Sequence, residues 1–453
     1  KIAAAPKSRK LAEKFPPGTV LKDLSKREWK LGSVIGQGGF GLIYLASEAS
    51  SDKKTENHIV KIEPKDNGPL FCETHFYQRV AKLEYIQAFV TEHRLRYLSI
   101  PPYISAGLQT YNSREYRFLV MPRLGKDLQK LLQECGGQFP PNTTYAVGLR
   151  MVDALQFLHE KEYVHADIKA SNILLGYSKG HDVTNEVYLV DYGLAYRYTV
   201  GSEHKEYKED PKRAHDGTIE FTSRDAHKGL APSRRGDLEI LGYCMLQWLC
   251  GKLPWENRLS DPNYVAKSKE SFMDSLSAQL TKCLPDSPPH SDCMQKYFQL
   301  VNKLQYHSTP NYDRIREIFK HGLTISGQKN EWIIEFTQKA KKRKHADHSS
   351  LENTPPSGSV SPKKSPRMIS PEVRQLASAS LKLPLAPGAV KSPAVHKKVV
   401  KAKNYCSSVQ SNTTSVRKIY SQAKPPVKRR VKRVDAVKTD ISIQTSPGLL
   451  NNK

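Results

Sequence analysis

No two cysteines in this chain stand in a Cys-x-x-Cys arrangement. The seven present, Cys72, Cys135, Cys244, Cys250, Cys283, Cys293 and Cys406, are scattered and odd in number. That usage suits a reducing compartment, and it argues against a disulfide framework and against a structural zinc site. No run of about eighteen apolar residues occurs, so no transmembrane helix and no membrane partner are expected. The end, Gly448-Leu-Leu-Asn-Asn-Lys453, carries no prenylation box. Residue 1 is Lys and not Met, which leaves an N-terminal address open. Trp and Phe are missing beyond Lys339, where Tyr405 and Tyr420 are the remaining aromatics.

Acidic residues are scarce in the same stretch. Residues 339–453 hold 25 basic and 5 acidic side chains, a net of +20. The whole chain of 453 residues holds 71 and 45, a net of +26. Residues 1–338 therefore hold 46 and 40 (71 less 25, 45 less 5), a net of +6. The first three-quarters is nearly balanced and the last quarter is a polycation. Ser, Pro and Lys dominate that quarter, and it cannot bury enough apolar surface to offset its ordering entropy. A disordered basic tail is expected over residues 340–453. Residues 1–27 are basic and contain proline, and are read as an N-terminal arm.

Between these segments the pattern changes once. Strands are expected around Val34-Ile35, Leu42-Ile43-Tyr44-Leu45, Ile59-Val60-Lys61-Ile62 and Phe118-Leu119-Val120-Met121. Glu73 to Leu98 reads as one helix. From Asn142 the apolar residues Val147, Met151, Leu155 and Leu158 recur at helical spacing, and Asp237 to Leu249 reads as a buried helix. Tyr188-Leu189-Val190 is a strand just before Asp191. Strands first and helices later is the α+β pattern of a small sheet lobe followed by a larger helical lobe.

Gly36, Gly38 and Gly41 lie in the segment Ile35-Gly36-Gln37-Gly38-Gly39-Phe40-Gly41-Leu42-Ile43 in Gly-x-Gly-x-x-Gly order. Without side chains, backbone N–H groups can approach a triphosphate. The same spacing opens dinucleotide folds. Here it lies between two strands, which favours the kinase version. Lys61 is then placed to hold the α- and β-phosphates, and Glu73, twelve residues later, is its natural ion-pair partner. Glu63, two residues away on the same strand, is a poorer one.

His165-Ala-Asp-Ile-Lys-Ala-Ser-Asn172 and Asp191-Tyr-Gly193 together look like a kinase catalytic loop and metal-binding turn. Asp167 would accept or orient the attacking hydroxyl, and Lys169 would neutralise the transferring phosphoryl group. Asn172 and Asp191 would hold Mg²⁺, with Mn²⁺ as the alternative, because hard cations take oxygen ligands. His165 is read as a prop for the loop, and Asp237 as a brace for its backbone. Tyr192, where most kinases carry Phe, needs a hydroxyl partner if buried.

At this level of detail residues 29 to 325 resemble the vaccinia-related kinases, a branch of the casein-kinase-one group. The resemblance rests on the glycine segment, the catalytic loop and Asp66-Asn-Gly-Pro-Leu-Phe71. It also rests on Val190-Asp-Tyr-Gly-Leu-Ala-Tyr-Arg-Tyr198, Asp216-Gly-Thr-Ile-Glu-Phe-Thr-Ser223 and Ser233-Arg-Arg-Gly-Asp-Leu-Glu-Ile-Leu-Gly-Tyr243. It implies a two-lobed protein kinase fold over residues 28–335, ATP with Mg²⁺, and Ser/Thr substrates in chromatin. Histone tails and the barrier-to-autointegration factor are family targets. Met121 falls at the gatekeeper position, and Pro122, Arg123 and Leu124 at the adenine-contacting connection. Lys169 and Thr218 match the Ser/Thr-specific form.

Two departures stand out. Ala166 replaces the Arg that in most kinases precedes the catalytic Asp, at a position where this family more often has Gly, so activity should not depend on loop phosphorylation. Arg224 stands where relatives often carry an apolar residue, and reads either as a change in substrate docking or as a solvated side chain. The glycines and the loop Asp are intact, which separates this chain from catalytically dead relatives. The alternative reading is a non-catalytic, chromatin-binding pseudokinase scaffold.

In the tail, Lys341-Lys-Arg-Lys344 and Lys428-Arg-Arg-Val-Lys-Arg433 are of nuclear-import type. Six Ser/Thr-Pro sites begin at Thr354, Ser361, Ser365, Ser370, Ser392 and Ser446. Each phosphate would add about −1.5 to −2 charges. The tail is expected to tether the chain to DNA or to an acidic nucleosome surface; the plainer reading is a solvated charge run. A monomer located in the nucleus, with the cytoplasm as a second site, completes the expectation.

Overall fold

The computed structural model describes residues 11–38, 41–50, 56–178, 180–211 and 214–336. The expected tail lies outside the described residues, as do Gly39 and Phe40. Six strands form one sheet: β1 (Val20–Lys22), β2 (Glu28–Gln37), β3 (Leu42–Glu48), β4 (His58–Pro64), β5 (Ser105–Tyr111) and β6 (Arg114–Pro122). Their spatial order is β1-β2-β3-β4-β6-β5, antiparallel throughout. Along β2 the side chains alternate as a half-buried strand requires, with Trp29 and Leu31 inside and Glu28 and Lys30 outside. The run Phe118–Met121 in β6 is buried throughout, as expected of a strand flanked on both edges.

One face of the sheet closes over Leu21, Trp29, Tyr44, Val60 and Phe118. Phe15 completes this core, stacked on Tyr111 at 4.5 Å. Part of the segment read as an N-terminal arm is therefore sheet and core, and the boundary expected at 27/28 falls inside the lobe. The reason is local: Ala12, Phe15 and Leu21 are apolar anchors within a basic, proline-bearing stretch.

The long helix expected from Glu73 to Leu98 is two helices, α1 (Pro69–Arg79) and α2 (Leu83–Glu92). Between them Lys82 turns extended with ψ 139°. No glycine or proline marks this break. Val80 and Ala81 are buried at the junction, so tertiary packing decides it.

The helical lobe follows: α3 (Leu128–Glu134), α4 (Pro141–Glu160), α5 (Arg224–His227), α6 (Arg234–Cys250), α7 (Pro262–Asp274), α8 (Leu276–Cys283), α9 (Pro288–Lys303) and α10 (Tyr312–Ile325). Helices α4 and α6 are buried over most of their surface, as the centre of a helical layer must be. Short strands β7 (Tyr163–Val164), β8 (Ile173–Ser178), β9 (His181–Leu189) and β10 (Tyr196–Arg197) frame the loops between α4 and α5. β8 pairs with β9 and β7 with β10, which fixes both ends of the segment 165–172 and the start of the segment 190–195.

Candidate active site

The glycine segment joins β2 to β3. Gly36 pairs with Ile43 and Gln37 with Leu42, and Gly38 N donates to Gly41 O at 2.9 Å. Ile35 is half exposed at 52 %. A Cβ on Gly41 would lie 2.4 Å from Ile62 O and 2.5 Å from Glu63 Cγ, so β4 approaches too closely for any side chain there.

Lys61 projects from β4 and Glu73 from α1. Lys61 Nζ donates to both Glu73 oxygens at 2.9 Å and lies 3.9 Å from Asp191 Oδ1. Burial alone would push this ammonium down, yet the two carboxylates leave Lys61 above its ordinary range. Glu63 does not compete for it. It accepts from Leu70 N at 3.3 Å, and burial raises its carboxyl to about 7.

The catalytic-loop residues converge on one triangle. Asp167 Oδ1 accepts from Thr218 Oγ1 at 2.6 Å, and Asp167 Oδ2 accepts from Lys169 Nζ at 2.7 Å. Lys169 Nζ also donates to Thr218 Oγ1 at 2.9 Å. Asn172 Nδ2 donates to Asp167 O at 2.9 Å. That bond pins the amide and turns its Oδ1 the other way.

Asp191 sits in the left-handed region with φ 66° and ψ 71°, at the head of a single 3₁₀ turn, Tyr192–Leu194. Lys61, then His165 and Lys169, hold its carboxyl below the usual range against the effect of burial. A carboxylate that stays ionised and an amide oxygen form an oxygen donor set that fits a hard dication. Such an ion takes one or two protein ligands and completes its shell with phosphate oxygens and water.

Behind the loop, Asp237 at the head of α6 accepts from His165 N and Ala166 N, each at 2.8 Å. His165 Nδ1 accepts from Asp167 N at 3.2 Å, which leaves Nε2 to donate to Val190 O at 3.1 Å. One ring thus ties the catalytic loop to the residue preceding Asp191. Tyr192 is fully buried, stacks on Phe76 at 3.8 Å and donates to Leu189 O at 3.0 Å. The hydroxyl partner that burial demands is a backbone carbonyl.

Met121 is buried in β6 opposite Ile59. Arg123 differs from expectation. Its N–H is taken by Asn57 O at 2.8 Å, and its guanidinium lies 4.1 Å from the centre of the Tyr177 ring and donates to Glu56 O at 3.3 Å. Pro122 has no N–H, and Gly125 N is used by Leu175 O at 2.8 Å. Leu124 is left as the residue of this connection whose N–H enters none of the described backbone bonds.

The protein kinase domain family matches residues 29–322. The serine/threonine-protein kinase VRK2 of Homo sapiens is 48% identical over 319 residues, 70% of this chain and 61% of that protein. Nucleosomal histone kinase 1 of Drosophila melanogaster is 44% identical over 347 residues, 75% of this chain and 56% of that protein. A solved structure of vaccinia related kinase 3 aligns with a TM-score of 0.61 at 35% identity, covering 71% of this chain and 95% of that one. The chain belongs to the vaccinia-related kinase family. It spans 61% and 56% of the lengths of the first two relatives.

Both departures from the pattern of the vaccinia-related kinases have a physical account. Ala166 adopts φ 67°, the left-handed region that glycine enters without steric cost. Arg224 is partly buried and bonded within the helical lobe. Its N and Nε donate to Glu239 Oε1 at 2.8 and 3.1 Å, and Nη2 donates to Asn302 Oδ1 at 3.0 Å. Beside it Arg235 clamps Asp225 with two bonds at 2.7 and 2.8 Å. Arg224 is thus part of the joint between α5, α6 and α9. Nothing in its own sequence position signals this, since Glu239 lies fifteen residues away on a different helix.

Proposed function

We propose that this chain transfers the γ-phosphoryl group of ATP to serine and threonine hydroxyls of chromatin-associated proteins in the nucleus. The observation that carries the reading is the Asp167–Lys169–Thr218 triangle, with distances of 2.6, 2.7 and 2.9 Å. Asp167 is held in one orientation by Thr218 Oγ1, Lys169 Nζ and Asn172 Nδ2, so it can align an incoming hydroxyl and accept its proton. Lys169 carries positive charge to the same point and stabilises the transferring group. Lys61, fixed by Glu73, holds the nucleotide phosphates under the glycine segment. Met121 borders the adenine end, and the Leu124 N–H, in place of Arg123, is the donor to the base. Asn172 and Asp191 would hold Mg²⁺, or Mn²⁺, which when bound neutralises charge on the phosphates.

Ala166 stands in place of the Arg that would pair with a phosphorylated activation loop, which supports an enzyme whose Lys61–Glu73 pair and Thr218–Asp167 bond need no loop phosphate. The +20 charge of residues 339–453 supports a nuclear, nucleic-acid-bound location. A relative named nucleosomal histone kinase 1 points to the same substrate class. The test is phosphoamino-acid analysis of histones incubated with the chain, ATP and Mg²⁺. Phosphoserine and phosphothreonine are expected, and absence of transfer or exclusive phosphotyrosine would refute the reading.

A further inference from the structure

Lys269 on α7 is a lysine with no exposed surface. Its ammonium donates to Ile219 O at 2.9 Å and to Thr222 O at 2.7 Å, and lies 3.2 Å from His227 Nε2. Tyr243 and Trp255 present their rings 5.3 and 5.4 Å from Nζ. Among the described residues no carboxylate forms an ion pair with it. A buried, unpaired ammonium is costly, so what it holds is of interest.

The two carbonyls belong to the turn that carries Thr218. Phe221 N and Thr222 N both donate to Thr218 O, at 2.9 and 2.8 Å, and Thr222 Oγ1 donates to the same oxygen at 2.9 Å. Trp255 Nε1 donates to Glu220 O at 2.8 Å. Residues 218–222 therefore form one knot, fastened from α7 by Lys269. Its front end presents the Thr218 hydroxyl to Asp167.

A hydrogen-bond chain leads from Lys269 toward the surface. His227 Nε2 accepts from the ammonium, so the ring proton of His227 sits on Nδ1 and is donated to His215 Nδ1 at 2.8 Å. His215, half buried, is three residues before Thr218. Protonating His215 on Nδ1 would set two N–H groups against each other, so a charged Lys269 excludes a charged His215 in this arrangement.

We propose that Lys269 is a positioning residue for phosphoryl transfer: through Ile219 and Thr222 it holds Thr218 against Asp167, in a proton-linked chain with His227 and His215. The groups facing Lys269 are Glu239 and Cys244 from α6, Glu220 from the turn and His227 from α5. Burial pushes the ammonium down to about 7 against the pull of Glu239, Cys244 and Glu220. Burial, Lys269 and His215 hold His227 at about 3, and burial and Lys269 also lower His215. As pH rises through neutrality Lys269 gives up its charge, and bonds to Ile219 O and Thr222 O that were charge-assisted weaken. The turnover number should fall on that limb.

The inference rests on the proposed kinase activity. The test is the pH profile of kcat and of KM for ATP for the full chain, between about pH 6 and pH 9, for wild type, Thr218→Ala, Lys269→Met and the double variant. Lys269→Met should lower kcat about tenfold or more with little change in KM for ATP. It should add nothing to the loss already caused by Thr218→Ala. The alkaline limb of the wild type should be absent from Thr218→Ala. If Lys269→Met does not fold, the comparison of wild type with Thr218→Ala still decides. An identical alkaline limb in Thr218→Ala, or additive losses in the double variant, would overturn the positioning role. A wild-type chain with no transfer at any pH would instead refute the proposed function.

Discussion

Thr218 Oγ1 donates to Asp167 Oδ1 at 2.6 Å across 51 residues of sequence, and both share the Lys169 ammonium. In the proposed reaction this contact joins the residue that would align the nucleophile to the turn at residues 218–222. Its loss should act on turnover more than on nucleotide binding. Thr218→Ala is expected to lower kcat about 10²-fold with KM for ATP within a factor of about two, whereas Thr218→Ser keeps the hydroxyl and most of the rate. Steady-state kinetics on a histone substrate check this.

Glu63 gives a pH dependence of stability. Its carboxyl has an ordinary value of 4.5 and burial raises it to about 7. The folded chain therefore binds this proton more tightly than the unfolded chain. The contribution to stability is complete below about pH 4.5 and is lost as pH rises through about 7. Glu63→Gln should remove that loss. Above neutrality the variant should be more stable than wild type by up to about 3 kcal/mol, with the difference vanishing near pH 4.5. Denaturant unfolding of both chains without nucleotide, across this range, measures it.

Ala166 places a Cβ in the left-handed region, at φ 67°, directly before Asp167. Replacing it by Gly removes the steric cost and adds chain entropy to the unfolded state, two effects of opposite sign. The first is larger, so Ala166→Gly should raise unfolding free energy by about 0.5–1 kcal/mol. Ala166→Val, with a branched Cβ, should lower it by more than about 1 kcal/mol. Chemical denaturation midpoints distinguish the two.

Much of the site was legible because its residues are close in sequence or bear a fixed order. The glycine segment, Lys61, and the run from Asp167 to Asn172 declare themselves by spacing, and the pairing of Lys61 with Glu73 is as expected. What was not legible depends on contacts between distant elements. Lys269 is one of two lysines on α7, and its burial follows from α7 packing under a turn fifty residues earlier. The break between α1 and α2 lacks a glycine or proline. Arg123 is drawn away by Asn57, Glu56 and Tyr177, none of which its neighbours in sequence announce. The lobe also begins before Trp29, because one Phe in a basic stretch finds a slot between Tyr44, Tyr111 and Tyr116.

The proposed tether is electrostatic and should behave so. A chain ending at residue 339 loses most of the +20 carried by residues 339–453. Its nucleosome affinity at low salt should drop by about tenfold or more, and the slope of log affinity against log salt should become shallower. Phosphorylation at the Ser/Thr-Pro sites should act in the same direction. Equal affinity of the full and shortened chains in a low-salt binding titration would contradict the tether.

In the proposed function, phosphoryl transfer from ATP depends on Asp167. Asp167→Asn keeps the size of the side chain and a partner for Thr218 or Lys169, but removes the charge and the proton acceptor. The decisive measurement is transfer of labelled γ-phosphate to histones by this variant, with ATP affinity determined on the same preparation. A loss of about 10²-fold or more in transfer is expected, with ATP affinity close to that of wild type. Transfer at the wild-type rate would contradict it.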